Sequence, residues 1–373
     1  MIEQTTDTKR IAGLDGIRAS AILLVLGCHI QIFLAPFPKN SFVALFFGET
    51  GWNGVYLFFV LSGFLIGGLC FNELQTSSSI HLPRFWARRA MRTWPLYFFA
   101  LGMNYFFSRH QELTPSLAHY TTFTQVFFKM NFFIESWTLC VEEHFYLVLP
   151  VILLLLHRKD KTTRIFWALM VLLLSAYAYR QKYGYSLNTF GVLDSLIIGV
   201  IIAYWKKFSP WAMERLYRFP NMILLAGLIV VYTPFLSSRL RNGLFFQHFF
   251  QGAQGIGFGL VLISSMNPKV VIGFYLRSSF CRFIAKISYS LYLCHMLVIF
   301  MAQKWIGFFS NSRIQILIFS LATSVICCAV AYGLYLLIES PWLALRERFV
   351  PRLPKKDPFL SNQIKGQVFK ENA

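Results

Sequence analysis

Arg18 and His29 lie eleven residues apart on the first long apolar stretch of the chain. On a helix, eleven steps of about 100° bring the two side chains within roughly 20° of one stripe and about 16 Å apart along the axis. That offset is about half of a ~30 Å hydrocarbon core. A guanidinium at one surface and an imidazole near the midplane then face the same cavity, and ionisable groups at such depth point to function. Cys28 stands one residue off the stripe with no basic neighbour to activate it, so it reads as a packed thiol.

Two further clusters carry charge. Arg84, Arg88 and Arg92 recur at helical spacing, with Arg89 beside them. Planar guanidinium forks match phosphate oxygens, and a helix start adds its positive dipole end. The plainer reading is an anchor for anionic lipid headgroups. The stretch from Glu135 through Trp137, Glu142, Glu143, His144 and Tyr146 opens another apolar run and places carboxylates in its outer part. Inserting one such charge costs on the order of 2.5–3.5 kcal/mol. The two adjacent glutamates point about 100° apart, so one faces a cavity while the other bonds a neighbouring helix.

Asp194 and His295 sit in later apolar runs, where interhelical hydrogen bonding competes with a place in the cavity. Glu339-Ser340-Pro341 reads as the interfacial end of the last span, stopped by proline. Ser62-Gly63 lacks the glycine spacing and preceding strand of a nucleophile elbow, which leaves a close helix crossing as the simpler account.

These residues need a membrane scaffold. The 373 residues are 56% hydrophobic, 18% aromatic and 14% charged, too apolar for an ordinary soluble domain. Ten apolar stretches, near 17–36, 51–71, 93–108, 136–157, 165–180, 188–205, 221–236, 244–266, 284–304 and 314–338, predict an all-α polytopic bundle of about ten spans. Of the 35 Lys and Arg residues, 26 fall in one alternate set of connections and 9 in the other. That asymmetry puts both termini in the cytoplasm. It also excludes a nucleic-acid binder, which gathers its basic and aromatic residues on one polar face.

The amino-terminal stretch lacks a small-residue cleavage site and reads as a retained helix. The seven cysteines show no metal-type spacing and read as free thiols packed in helices. No metal site is expected. Residues 1–345 form the membrane domain, and 346–373 read as a basic, mobile cytoplasmic tail. The connection near 109–135 is expected to face the outer side of the membrane, and that near 72–92 the inner side.

Taken in order, these segments resemble the acyltransferase-3 family of polytopic membrane acyltransferases, which includes bacterial O-antigen and exopolysaccharide O-acetyltransferases. The resemblance covers about residues 10–345. It rests on Leu14-Asp15-Gly16-Ile17-Arg18 with His29, on Gly54 to Ile66, and on Arg88-Arg89-Ala90-Met91-Arg92 with Pro95 and Tyr97. It continues through Trp137 to Tyr146, Asp194, Ile287 to His295, and Ile338-Glu339-Ser340-Pro341. The family commonly has an acid where Tyr56 stands and a glutamine where His144 stands, so acceptor choice or local hydrogen bonding differs here.

The resemblance implies a multi-pass protein of the bacterial inner membrane. Arg18 and His29 map onto the family's proposed catalytic pair, and Arg88, Arg89 and Arg92 onto the block associated with coenzyme A phosphates. The expected co-substrate is acetyl-CoA or another acyl-CoA, with no tightly bound cofactor. The expected acceptor is a glycan or lipid-linked saccharide. His29 is the candidate general base, with Glu143 or Glu142 as its carboxylate partner. Asp15, Asp194, His295, Trp137 and Tyr146 are candidates for substrate contact or support. A permease that uses His29, Glu142, Glu143 and Asp194 as a midplane proton relay is the alternative. Clustered intramembrane charge argues against a non-catalytic scaffold.

Overall fold

The computed structural model describes residues 12–34, 44–107, 115–157, 162–184, 187–236, 244–306 and 313–351. Ten long helices carry the chain. They are α1 (Ala12–Phe33), α2 (Gly54–Ser77), α3 (Leu82–Phe107), α4 (Trp137–Leu156), α5 (Thr163–Tyr183), α6 (Thr189–Phe208), α7 (Pro220–Leu236), α8 (Leu244–Ser265), α9 (Ser279–Ile306) and α10 (Arg313–Leu334). No strand occurs among the described residues. Each apolar stretch read from the sequence falls on one of these helices.

Among the described residues, six helical stretches are long and apolar enough to cross a membrane: Gly13–Phe33, Phe46–Ser77, Ile134–Leu156, Thr189–Phe208, Ser279–Lys304 and Ile314–Phe349. A seventh counts if Pro210–Tyr217 and Pro220–Thr233, bent by 89°, form one broken span. The protein is a multi-pass membrane protein. Lys39, Arg109, Arg239, Arg241 and the tail from residue 352, which bear on sidedness and on the mobile end, lie outside the described residues.

The bundle is built around α2 and α6, its most extensive helix pair. A Cβ on Gly63 would overlap the Leu196 backbone, and one on Gly199 would overlap that of Val60. Small residues bring the two backbones together there, as lipid-embedded helices require. The Ser62-Gly63 step is therefore a helix crossing. On the other flank α1 packs along α9, and α9 along α10.

Helices α3 and α4 depart from the expected layout. Tyr97, midway along α3, donates its hydroxyl to the Tyr120 carbonyl at 2.8 Å. The Gln125 amide bonds both Tyr97 and Ser136, each at 3.3 Å. Residues 115–136 are thus folded in against α3, and α4 starts beside the middle of α3. Phe123 and Phe133, both at positive φ (56° and 43°), stack on Tyr97. Such backbone strain on bulky side chains persists only where packing holds it. Burial of the aromatic cluster explains why the segment stays in.

The last span also differs. After α10 a π-helical turn, Tyr335–Glu339, leads directly into the helix Ser340–Phe349. Pro341 lies in the first turn of that helix, where no backbone N–H is needed, so it does not stop the chain. Glu339 is buried and accepts a hydrogen bond from Ser290 of α9 at 2.7 Å, so it faces the bundle and not an interface.

Candidate active site

A cavity of about 930 Å³ lies between α1, α2, α3, α4, α6 and α9. On α2 its lining runs from Asn72 to Val55, about 25 Å of helix. Arg18 of α1 and Arg89 and Arg92 of α3 line one portion, with Asp15, Glu142 and Tyr146. Among the described residues none of these three arginines forms a salt bridge, which leaves their donors free for a ligand. Arg89 also lies against the Tyr146 ring at 5.9 Å. The far end is closed by Phe58, Thr138 and Tyr292.

Behind that end wall stand two histidines. His295 is fully buried on α9, and its ring centroid is 5.7 Å from that of Tyr292. Nδ1 of His295 is 2.7 Å from the Tyr292 carbonyl oxygen and 3.2 Å from that of Leu291. Only an N–H is compatible with those two oxygens, so Nε2 carries the lone pair. His29 Nδ1 is 2.8 Å from that Nε2 and must therefore be the donor. His29 Nε2 is left with its lone pair unshared among the described residues. This chain of hydrogen bonds fixes the tautomer and the ring plane together.

The carboxylates are engaged elsewhere. Glu142 accepts from the Tyr146 hydroxyl at 2.8 Å, and that hydroxyl is 2.9 Å from Ser62 Oγ. Glu143 accepts from Thr93 Oγ1 at 2.7 Å and from the Trp94 indole at 3.2 Å. Because α4 starts at mid-height, both glutamates lie level with Arg92 and Thr93, away from the outer end of the bundle. The expected carboxylate partner of His29 is replaced by His295, and Glu142 faces the charges of Arg92 and Arg18.

Arg88 shares the arginine block but not the cavity. Turned about 100° from Arg89, it bonds Glu347 at 2.7 Å and the Val350 carbonyl on the carboxy-terminal helix. Asp194 is also outside the cavity. It forms a buried ion pair with Arg180 at 2.7 Å, and Arg180 also donates to the Gly191 carbonyl at 2.8 Å. Arg180 is therefore an interior group. The proposed relay through His29, Glu142, Glu143 and Asp194 does not assemble, since each member bonds a separate partner. Trp137 stacks edge-on against Phe59 at 5.7 Å and shapes the wall rather than lining the cavity. All seven cysteines are free, and Cys28 is buried.

The sequence profile of the acyltransferase-3 domain matches residues 11–333, nearly all of the helical bundle. The chain belongs to the acyltransferase-3 family. Relatives of this acyltransferase-3 chain include an inferred O-acetyltransferase of Staphylococcus aureus strain COL, 25% identical over 89% of this chain and 57% of that protein. The peptidoglycan O-acetyltransferase OatA of Listeria monocytogenes is 23% identical over 78% of this chain and 50% of its own length. The O-acetyltransferase OatA of Staphylococcus aureus strain NCTC 8325 is 23% identical over 95% and 61%. The chain thus spans a little over half the length of these relatives. No solved structure matches it.

Lys206, Lys207 and Asn72 also line the cavity, and sequence reading missed them. The two lysines carry only the signal of a positive connection. Glu135 is buried, and its Oε1 has no hydrogen-bond partner among the described residues.

Proposed function

We propose that this chain is a membrane O-acyltransferase that moves an acyl group, acetyl in the first instance, from acyl-CoA to a hydroxyl of a cell-surface or lipid-linked glycan. The observation that carries this reading is the cavity itself. Three arginines without a salt bridge among the described residues line it, and behind its far end the His29–His295 pair leaves Nε2 of His29 with an unshared lone pair. Phosphates suit the arginines, and the ~16 Å from Arg18 to His29 suits a pantetheine arm. The names of the relatives support acetyl as the group, and that of the Listeria protein supports a glycan acceptor.

The donor enters from the cytoplasmic side, where the charge asymmetry puts the arginine end. The acceptor hydroxyl is a poor nucleophile until a base removes its proton. His29 Nε2 takes that proton as the hydroxyl oxygen bonds the thioester carbonyl carbon. The tetrahedral intermediate then collapses, the carbon–sulfur bond breaks, and His29 returns the proton to the departing CoA sulfur. His295 keeps the His29 ring aligned throughout. Tyr292 and Phe58, at the end of the cavity, guard the approach of the thioester.

The test is radiolabelled acetyl transfer by the full chain in proteoliposomes, paired with mass spectrometry of surface glycans from cells with and without the gene. His29→Ala is expected to insert normally and to abolish the acetylated product. Wild-type glycan from that variant would remove His29 as the base.

A further inference from the structure

The far wall of the cavity is braced from three helices. Phe58 of α2 and Tyr292 of α9 meet edge to face there, with ring centroids 6.1 Å apart and planes at 78°. The tyrosine is held at both ends. Thr138 Oγ1 of α4 donates to its hydroxyl at 2.8 Å, and that hydroxyl donates to the Glu135 carbonyl at 3.1 Å. At the main chain, the Tyr292 carbonyl accepts from His295 Nδ1 at 2.7 Å. A ring pinned at its tip and at its backbone swings aside only by breaking hydrogen bonds, and a close-packed wall yields little to an added methylene.

This wall stands between the cavity and the base. His295 lies behind Tyr292, with ring centroids 5.7 Å apart, and His29 is bonded to His295. With its phosphates at the arginine end, an acyl thioester points its acyl chain at the wall, ahead of the carbonyl carbon that must meet His29 Nε2. An acetyl group places a single methyl in front of that carbon. Each further methylene has to displace the Phe58 or Tyr292 ring before the carbonyl comes within reach.

We propose that Phe58 and Tyr292 form an acyl-length stop, that Thr138 positions it by holding the Tyr292 hydroxyl, and that the donor is thereby restricted to a two-carbon acyl group. This rests on the acyl-CoA reading above.

The experiment follows CoA thiol release from acetyl-, propionyl-, butyryl- and hexanoyl-CoA by the full chain in membrane vesicles from its native cells, which carry the acceptor. Vesicles lacking the gene supply the background, and displacement of labelled CoA from the purified chain reads donor binding separately. In wild type, kcat/KM is expected to fall by about tenfold or more for each added methylene. F58A raises kcat/KM for butyryl-CoA above the wild-type value and the butyryl-to-acetyl ratio by about tenfold or more. F58L, a gentler change, moves both in the same direction. T138V removes the hydroxyl at nearly constant shape and raises the ratio by about threefold or more, the scale of one hydrogen bond, while T138S restores the wild-type ratio. Loss of packing alone lowers both rates and leaves butyryl-CoA no better a donor. F58L and T138V at the wild-type ratio overturn the proposal, as does equal use of acetyl- and butyryl-CoA by wild type. If wild type binds no CoA and releases no thiol from acetyl-CoA, the acyl-CoA reading fails. CoA binding with equal release from all four thioesters defeats only the acyl-length stop.

Discussion

His29 Nδ1 and His295 Nε2 meet at 2.8 Å across the α1–α9 interface, 266 residues apart in sequence. One imidazole thereby orients another, and the backbone carbonyls of Leu291 and Tyr292 set the direction of the whole chain of hydrogen bonds. The role expected of a carboxylate is filled by a neutral ring.

This pairing sets two kinetic expectations. Removing His29 as base lowers kcat by roughly 10²–10⁴-fold. His295→Ala leaves the base in place but free to turn, and costs about tenfold in kcat, the equivalent of one hydrogen bond, with little change in the donor KM. Steady-state acetyl transfer at varied acetyl-CoA checks both. A larger KM change than kcat change for His295→Ala would remove it from the orienting role.

The arginines separate by contact. Arg89→Gln and Arg92→Gln each raise the donor concentration needed for half-maximal rate by about tenfold or more, as loss of a charged phosphate contact requires. Arg88→Gln changes it by less than about threefold, because that side chain is held by Glu347 outside the cavity. Equal effects of the three substitutions would mean that Arg88 leaves Glu347 when donor binds.

Asp194 is expected to matter through folding. Breaking the buried Arg180–Asp194 pair with Asp194→Ala destabilises by about 3–5 kcal/mol, because it strands a buried guanidinium. Replacing both partners with apolar residues of similar size recovers most of that loss. Thermal unfolding in detergent reads the effect, and activity per folded molecule stays near wild type in the double variant.

The α2–α6 crossing makes a sharper structural prediction. Gly63→Ala forces a methyl group into the Leu196 backbone and destabilises by about 1–3 kcal/mol, visible as a lower unfolding temperature. Gly68, with open space around its Cβ position, accepts the same change and gains up to about 1 kcal/mol from the helical preference for alanine.

The helices were legible in the sequence because lipid demands long apolar runs, and all ten stretches became long helices. Helical spacing made Arg18 legible as a cavity residue, but His29, expected on the same cavity, stands behind its end wall. Depth was not legible. The inward fold of residues 115–136 depends on Tyr97, Tyr120, Gln125 and Ser136 meeting in space, which no local period encodes. The separation of Arg88 from Arg89 follows from one residue's turn on α3 and from Glu347, far along the chain. The His29–His295 bond likewise has no local signature.

A helix that begins halfway up its neighbour also has an electrical consequence. A water-filled cavity reaching Tyr292 would carry the potential of its own aqueous side inward, so the transmembrane voltage would fall across the remaining thickness rather than the whole bilayer. The ring stack of Tyr97, Phe123 and Phe133 adds apolar bulk at that level. Across such a thin layer the field is steep, and one charge crossing it fully exchanges about 2.3 kcal/mol per 100 mV.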